Sequence, residues 1–271
     1  MVPLDWSKTK TIFIIVFSIL NVFLFTLYLN RYTEGQNIEV LSSTTVEERL
    51  AIDNINVSKA SSVMVEDAYY VSGSVHKFES QEIEKLENQT IEFKPESQIV
   101  GTFIKPLPIT EENKLEKLVQ DNIIKGSSYG LWKIDEENRN ATFFQKVNDR
   151  LVYYNQKARL VVYWNEENEL VRYEQTMLDN LEDYSESKNL LPTIQAMSNL
   201  YSKGLLVANS TVTDISLGYS TLVQQADTQV FAPTWRILVE REDGKIDEHF
   251  VNAVEGRIIE IPTEEDSSAV K

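Results

Sequence analysis

The sequence has no cysteine and only two histidines, His76 and His249, among its 271 residues. The missing thiols exclude disulfide scaffolds, Cys-ligated zinc, iron–sulfur clusters and thiol nucleophiles. Two histidines also make a histidine-rich metal site a poor expectation. Basic residues are few, with 26 Lys and Arg against 42 Asp and Glu and a net charge of −16. Because phosphates are bound through Lys and Arg, this balance argues against nucleic acid as a partner.

The sequence offers little support for catalysis. It lacks an H-E-x-x-H zinc motif, a P-loop and an EF-hand loop. Acidic pairs such as Glu111-Glu112 and Glu166-Glu167 fall at predicted helix starts and turns, where solvated charge is common. We therefore expect no catalytic residue, cofactor or metal, and we interpret both histidines as polar strand or surface residues. A Ser-His-Asp triad or a pair of glycosidase carboxylates stays formally open.

One long run without charge stands near the N-terminus. Residues 11–30 contain no Asp, Glu, Lys or Arg, and about 20 helical residues span the roughly 30 Å hydrocarbon core of a bilayer. The first thirty residues carry +1 and the remainder −17, which predicts a cytoplasmic segment 1–10, a transmembrane helix 11–30 and an extracytoplasmic remainder. A cleaved signal peptide is the alternative, but its apolar region is shorter and ends in a small-x-small triplet, which is missing here.

The apolar run contains a polar stripe that predicts a partner helix. The stripe has three- and four-residue spacing, which places its members on one helix face: Thr11, Ile14, Ser18, Asn21, Phe25 and Tyr28. Hydrogen bonds from this face to another membrane helix would contribute roughly 0.6–2 kcal/mol per good contact. We take these six residues as the candidate partner contact. The alternative is that a very apolar anchor merely tolerates Asn21.

The exported part predicts an α+β fold with an internal repeat. A polar stalk (31–44) and a polar tail (263–271) flank two predicted subdomains, 45–185 and 190–262. Each begins with an amphipathic helix and continues as antiparallel strands, with turns at 165–168 and 242–245 that lie 77 positions apart. The fold class is therefore α+β, with one N-terminal transmembrane helix followed by two repeated subdomains of antiparallel sheet with a packed helix.

Local signals give further expectations inside these subdomains. Thr44 and Glu47 predict a capping box that starts a helix at 45–53. Residues 61–71 predict a strand, and a strand at 99–104 should end at the Lys105–Pro108 breaker. A helix capped by Thr110 should bury Leu115, Leu118, Val119 and Ile123 and end at Lys125-Gly126 with a C′ glycine. A second helix from Pro192 should bury Ile194, Met197, Tyr201 and Leu205.

The N-terminus resembles that of the YycI family. The matching segments are DWSKTKTIFII at residues 5–15 and LNVFL at residues 20–24. The remaining resemblance is one of layout, namely the length, the single span, the acidic exterior, a repeated pattern similar to the related YycH, and a PepSY-like ending at 235–261. The extra Val2-Pro3-Leu4 departs from the family pattern, in which the initiator Met would precede Asp5.

The resemblance implies a regulatory role at the membrane of a low-GC Gram-positive bacterium. YycI-like proteins associate with YycH and with the essential sensor histidine kinase YycG, also called WalK, and adjust its control of cell-wall metabolism. Their membrane helices are implicated in the kinase contact. We therefore expect a kinase of this type, a YycH-like protein, the bilayer or a second copy of the chain as partners. The alternatives are a PepSY-like binding or peptidase-inhibitor module and an envelope hydrolase.

Overall fold

The computed structural model describes residues 6–34, 45–58, 67–112, 114–184, 186–224 and 228–260. The chain divides into two units, Met1–Arg49 and Leu50–Lys271. The first contains helix α1 (Trp6–Glu34), which extends beyond both ends of the charge-free run. Most of the predicted stalk and the whole predicted tail lie outside the described residues.

Helix α2 (Val46–Ile52) begins with the predicted capping box displaced by one residue. The Thr45 backbone N–H donates to Glu48 Oε2 at 3.0 Å, and the Glu48 backbone N–H donates to Thr45 Oγ1 at 3.2 Å. The pair proposed from the sequence, Thr44 and Glu47, has the same spacing. Only the geometry of the first turn decides which of two adjacent threonines caps the helix.

Two antiparallel sheets form the body of Leu50–Lys271. The strands are β1 (Val71–Val75), β2 (Gln89–Lys94), β3 (Gln98–Pro108), β4 (Tyr129–Asp135), β5 (Asn140–Val147), β6 (Arg150–Leu151), β7 (Arg159–Trp164), β8 (Glu169–Gln175), β9 (Leu178–Asp183), β10 (Thr211–Gln224), β11 (Thr228–Glu240), β12 (Ile246–Asn252) and β13 (Ile258–Ile259). The large sheet has the order β2-β3-β8-β7-β5-β4, with β6 beside β5. The small sheet has the order β13-β12-β11-β1-β9, with β10 beside β11. A short helix α3 (Ser80–Ile83) follows β1.

Helix α4 (Leu115–Asn122) packs on the large sheet through the predicted stripe. Leu115, Leu118, Val119 and Ile123 are all buried in one core with strand residues such as Phe143. The helix starts later than predicted, since Lys114 and not Thr110 occupies the N-cap position. Its predicted C′ glycine is also wrong, because Lys125 itself takes the left-handed conformation with φ 48°. Gly126 is needed for space, since a Cβ there would lie 2.0 Å from the Val119 carbonyl oxygen.

Helix α5 (Thr193–Ser202) packs on the small sheet, with Pro192 at its N-cap. Its buried side is rotated from the predicted stripe and includes Ala196, Met197 and Leu200. Leu205 lies beyond the helix and is 36% exposed. Just before the helix, the Leu191 carbonyl accepts a hydrogen bond from Trp235 Nε1 of β11 at 3.1 Å, which fixes the start of α5 on the small sheet.

The sheets do not follow the predicted subdomain boundaries. The chain leaves the large sheet at Gln175 and enters the small sheet at Leu178, so that β1 and β9 join strands from the second predicted subdomain. The two predicted units also differ in content. Strands β4 to β7 lie between the first helix and its hairpin turn, but only β10 and β11 lie between the second helix and its turn. Strand β3 also continues through Lys105–Pro108, because its pairing with β8 shifts register between Thr102 and Leu107. Residues 61–66 of the predicted 61–71 strand lie outside the described residues.

Buried polar contacts hold the two sheets together. Gln145 of the large sheet is 4% exposed. Its Nε2 donates to the Leu178 carbonyl at 2.9 Å, while its Oε1 accepts from the Leu178 N–H at 2.8 Å. Asn155 Nδ2 likewise donates to Gln229 Oε1 at 2.6 Å. The fold class is confirmed as α+β, with one N-terminal apolar helix and two antiparallel sheets.

Candidate functional site

Helix α1 presents the candidate partner contact. Within the described ranges it is the one helix long and apolar enough to cross a membrane, and residues 10–28 are all exposed. Ile14, Phe25 and Tyr28 are 66%, 60% and 62% exposed. The helix fits a single-pass membrane anchor, and its side chains are available to lipid or to a second helix.

The six stripe residues form two series with a spacing of seven. One series is Thr11, Ser18 and Phe25, and the other is Ile14, Asn21 and Tyr28. At about 100° per residue, the six positions fall within a sector of about 100°. This spacing is that of the a and d positions of a left-handed helix pair. The continuous helix therefore brings the predicted residues onto one face.

Two polar side chains on this face have no hydrogen-bond partner among the residues that the structure describes. The side chains of Ser18 and Asn21 make no hydrogen bond within the part of the chain that the structure describes. Thr26, which lies off this face, differs because its Oγ1 donates to the Val22 carbonyl at 2.7 Å. An amide without a partner is costly in hydrocarbon. Asn21 is therefore able to gain from a second polar helix, while Thr26 is already satisfied.

His76, which the sequence predicts to be a polar strand or surface residue, directly follows β1 and is largely buried. It is 11% exposed, with Nδ1 at 3.1 Å from Asp179 Oδ2 and Nε2 at 3.0 Å from Glu82 Oε2. The pKa of Asp179 is lowered. A hydrogen bond from the Asn180 backbone N–H is the main cause, and His76 and Lys125 add to it, while burial acts in the opposite direction. The pKa of Glu82 is also lowered, since hydrogen bonds from the Glu79 N–H and from His76 outweigh burial. This cluster joins β1, α3 and β9.

The second histidine lies on the small sheet. Burial lowers the pKa of His249, and its Nε2 atom is buried without a hydrogen-bond partner among the described residues. In the same residues, no group of three or more His, Asp or Glu side chains is arranged to hold a metal ion.

One serine motif was missed in the sequence. Gly126–Gly130 reads G-x-S-x-G, the pattern of a nucleophile elbow with Ser128 at its centre. An elbow joins a strand to a following helix, whereas here a 3-10 turn (Gly126–Ser128) leads into β4. Both ring nitrogens of His76 already face carboxylates. The described contacts therefore assemble no serine–histidine pair.

A second cluster spans the two sheets and had no local signal in the sequence. The Arg236 guanidinium lies 4.2 Å from the centre of the Trp132 ring, and its Nε is 2.5 Å from Glu248 Oε1. Tyr154 Oη donates to Glu248 Oε2 at 2.7 Å across 94 positions of sequence. Burial and Glu248 both raise the pKa of Tyr154. The hydroxyl therefore stays protonated and keeps donating.

Comparison with solved structures finds distant neighbours. An uncharacterized protein from Eubacterium rectale is 12% identical with a TM-score of 0.47, covering 77% of this chain and 89% of its own. The YpeB C-terminal domain of Bacillus megaterium is 11% identical with a TM-score of 0.40, covering 82% and 97%. Comparison with curated protein sequences gives no match.

Comparison with protein families gives a match over most of the chain. The model of the YycI protein family matches residues 34–254. This segment begins at the last residue of α1 and does not include residues 5–24, which carried the resemblance in the sequence. Because the match covers well over half of the chain, this protein belongs to the YycI family and has a role in the YycG/WalK regulatory system.

Proposed function

We propose that this protein is a membrane-anchored regulator that binds and modulates a sensor histidine kinase of the YycG/WalK type. It acts together with a YycH-like protein and thereby controls cell-wall metabolism genes. Segment 1–10 is cytoplasmic, α1 spans the cell membrane, and the acidic remainder lies outside. The family membership and the basic-then-acidic charge order support this arrangement.

The observation that carries the proposal is the exposed polar face of α1. Ser18 and Asn21 occupy neighbouring heptad positions and have unused hydrogen-bonding groups within the described residues. Moving a kinase from 10:90 to 90:10 between two helix arrangements requires about 2.6 kcal/mol of differential interaction. Contacts of this kind contribute roughly 0.6–2 kcal/mol each. A few of them suffice to bias the kinase.

We also propose that the exported domain binds partners and catalyses no reaction. His76 is held between two carboxylates, and Ser128 does not lie on a strand-to-helix elbow. The acidic surface is suited to a binding role in which like-charged molecules are repelled and basic surfaces are attracted. Changing His76 to Gln and Ser128 to Ala should therefore leave kinase regulation intact when the domain stays folded. Loss of regulation in a folded Ser128→Ala variant would instead support an envelope hydrolase.

The test of the helix contact is Asn21→Leu, with Thr26→Val as its matched control. Both changes remove one polar group from the same helix, but only Asn21 lies on the proposed face. We expect Asn21→Leu to lower co-purification of the kinase by about 3- to 30-fold, which corresponds to the 0.6–2 kcal/mol of one contact. Thr26→Val should change it less than twofold. Unchanged association and unchanged target-gene output with Asn21→Leu would remove Asn21 from the mechanism.

The alternative function is a PepSY-like binding or peptidase-inhibitor module that needs its anchor only for location. An exported domain attached to an unrelated membrane helix distinguishes the two. Under our proposal this chimera fails to restore normal kinase output, because the α1 face is gone. Full restoration would favour the binding module.

The absence of native cysteine also permits single-cysteine crosslinking at Ile14, which tests the homodimer directly.

A further inference from the structure

We propose that His76 is a pH-sensitive switch that holds helix α3 beside strand β9 while both of its ring nitrogens carry a proton. Loss of one of these protons releases α3 and changes the surface that the unit Leu50–Lys271 presents. The inference rests on residues 76–84 and on the start of β9. It does not depend on the proposed kinase contact, which involves α1 alone.

The two carboxylates beside His76 determine the protonation of its ring. Nδ1 lies 3.1 Å from Asp179 Oδ2, and Nε2 lies 3.0 Å from Glu82 Oε2. An ionised carboxylate only accepts hydrogen bonds, whereas a neutral imidazole has one donor nitrogen and one acceptor nitrogen. Both contacts are therefore hydrogen bonds only when the ring is the doubly protonated imidazolium. The side chain is 11% exposed, so water has little access to replace either partner.

Both carboxylates stay ionised in mildly acidic solution. The pKa of Asp179 is lowered, chiefly by a hydrogen bond from a backbone N–H. Burial raises the pKa of Glu82, but hydrogen bonds from the Glu79 N–H and from His76 outweigh it, so that the pKa is lowered overall. Lys125 adds a positive charge to the cluster, with its Nζ 3.8 Å from Asp179 Oδ1. Histidine is the residue type in this cluster whose charge changes near neutral pH.

The contact with Glu82 should break first, because little else holds α3. None of the four residues of α3 is buried. The Glu82 carboxylate also belongs to the capping box of this helix, since its Oε2 accepts the Glu79 backbone N–H at 3.1 Å. A ring that keeps its proton on Nδ1 turns the lone pair of Nε2 toward Glu82 Oε2, and two acceptors 3.0 Å apart repel each other. When Glu82 moves away, α3 also loses its cap.

Asp179 is held more firmly and should keep the remaining proton of the ring on Nδ1. Its Oδ1 accepts the Asn180 backbone N–H at 2.9 Å. The residue also lies within β9, which pairs with β1. The asymmetry between a carboxylate on a strand and a carboxylate on an unburied turn of helix therefore gives the release a direction.

The segment between the ring and α3 connects the switch to the apolar core. Phe78 packs edge-on against His76, with 4.9 Å between the ring centres, and also against the core of the large sheet. Movement of α3 therefore disturbs the packing of an apolar side chain and exposes more of it to solvent.

Nitrogen NMR of the full chain in detergent micelles, with both ring nitrogens of histidine labelled, tests the protonation. The chain has only two histidines, so His249→Gln leaves the His76 signal alone, and His76→Gln identifies the same signal by its loss. We expect both nitrogens to be protonated at about pH 5.5 and Nδ1 alone at about pH 8.5, because these values bracket the range in which imidazoles titrate. A neutral ring at the lower pH, or a proton on Nε2 at the higher pH, would overturn the proposal.

A spin label on α3 measures the release itself. Because the chain has no cysteine, Gln81→Cys places a nitroxide on the exposed side of α3, and Glu137→Cys in the β4–β5 turn is the matched control. We expect the mobile fraction of the label on α3 to rise at least about threefold between these two pH values. His76→Gln should remove this dependence, since an amide does not titrate, and the control label should not respond. Mobility on α3 that is independent of pH, that still depends on pH in His76→Gln, or that changes equally at the control position would overturn the proposal.

Discussion

Glu248 of β12 accepts one hydrogen bond from Arg236 within the small sheet and one from Tyr154, which follows β6 beside the large sheet. Its removal should therefore destabilise the whole unit Leu50–Lys271. Arg236 Nε lies 2.5 Å from Glu248 Oε1, and Tyr154 Oη lies 2.7 Å from Glu248 Oε2. The Arg236 and Glu248 side chains are only 21% and 18% exposed, so solvent screens the pair in part. Without Glu248, the Arg236 guanidinium would keep the Trp132 ring and a more distant carboxylate, Asp214, at 3.9 Å.

The expected loss for Glu248→Ala follows from these contacts. A hydrogen bond to a charged group contributes about 1.5–3 kcal/mol, and partial exposure reduces that value. We expect the free energy of unfolding to fall by about 2–4 kcal/mol in total, which is about 5–15 °C in Tm for a domain of this size. Tyr154→Phe removes one of the two bonds and should cost about 1 kcal/mol. Its effect should largely disappear in the Glu248→Ala background, because the two residues share one interaction.

Urea unfolding of the full chain in micelles, followed by near-ultraviolet circular dichroism and tryptophan fluorescence, measures these values. The chain has four tryptophans, so one variant keeps only Trp132 to report on the large sheet and another keeps only Trp235 to report on the small sheet. Because the cluster joins the sheets, both signals should move to lower urea together. A loss below about 0.5 kcal/mol would refute the reasoning, since that is the range of an ordinary surface substitution. Two separate transitions would refute the cooperative connection between the sheets.

Three further predictions concern the large sheet and the His76 cluster. Gly101→Ala should destabilise the domain by about 1–3 kcal/mol, because its Cβ would lie 2.2 Å from the buried ring of Tyr173, and thermal unfolding measures this. Ser97→Gly should raise the free energy of unfolding by about 0.5–1 kcal/mol, since Ser97 has a φ of 60° in the β2–β3 hairpin; a lower Tm would contradict it. The pKa of Asp179 is lowered in the folded state. The ionised carboxylate therefore stabilises the fold above the ordinary carboxyl pKa, and this contribution is lost as the pH falls through the pKa of Asp179 in the folded protein. Asp179→Asn should therefore flatten the acid side of the stability profile, and an unchanged profile would contradict this.

The elements that the sequence predicted well are those with strong local patterns. The charge-free run from Thr11 to Asn30 needs no tertiary contact to form a helix, and α1 covers it completely. The stripe of α4 was correct because four large apolar residues recur at helical spacing. In α5 the same reasoning was right for Met197 but missed Ala196 and Leu200. Small residues such as Ala196 carry little hydrophobic signal, yet they determine how closely the helix approaches the sheet.

The unpredicted features depend on residues far apart in the chain. Strand β10 (Thr211–Gln224) was not predicted. Its pairing with β11 shifts register twice, and these shifts interrupt the alternation of polar and apolar residues that marks a strand. The sequence predicts one strand at 169–178, but β8 ends at Gln175 and β9 begins at Leu178, since nothing local marks the change of sheet at Thr176-Met177. The pairing of His76 with Asp179 was not predicted, because the two residues lie 103 positions apart. Pairings of this kind are set by the topology and leave no local trace.

The proposed contact between the α1 face and a membrane partner is tested most directly by photo-crosslinking in living cells. Phe25 lies on the proposed face, and Phe23 lies on the opposite side of the same helix; they are 60% and 57% exposed. Each is replaced in turn by p-benzoylphenylalanine, so that the two variants differ only in position. We predict that the probe at Phe25 crosslinks to a YycG/WalK-type kinase and that the probe at Phe23 does not. Equal kinase crosslinking from both positions, or none from Phe25, would contradict the account.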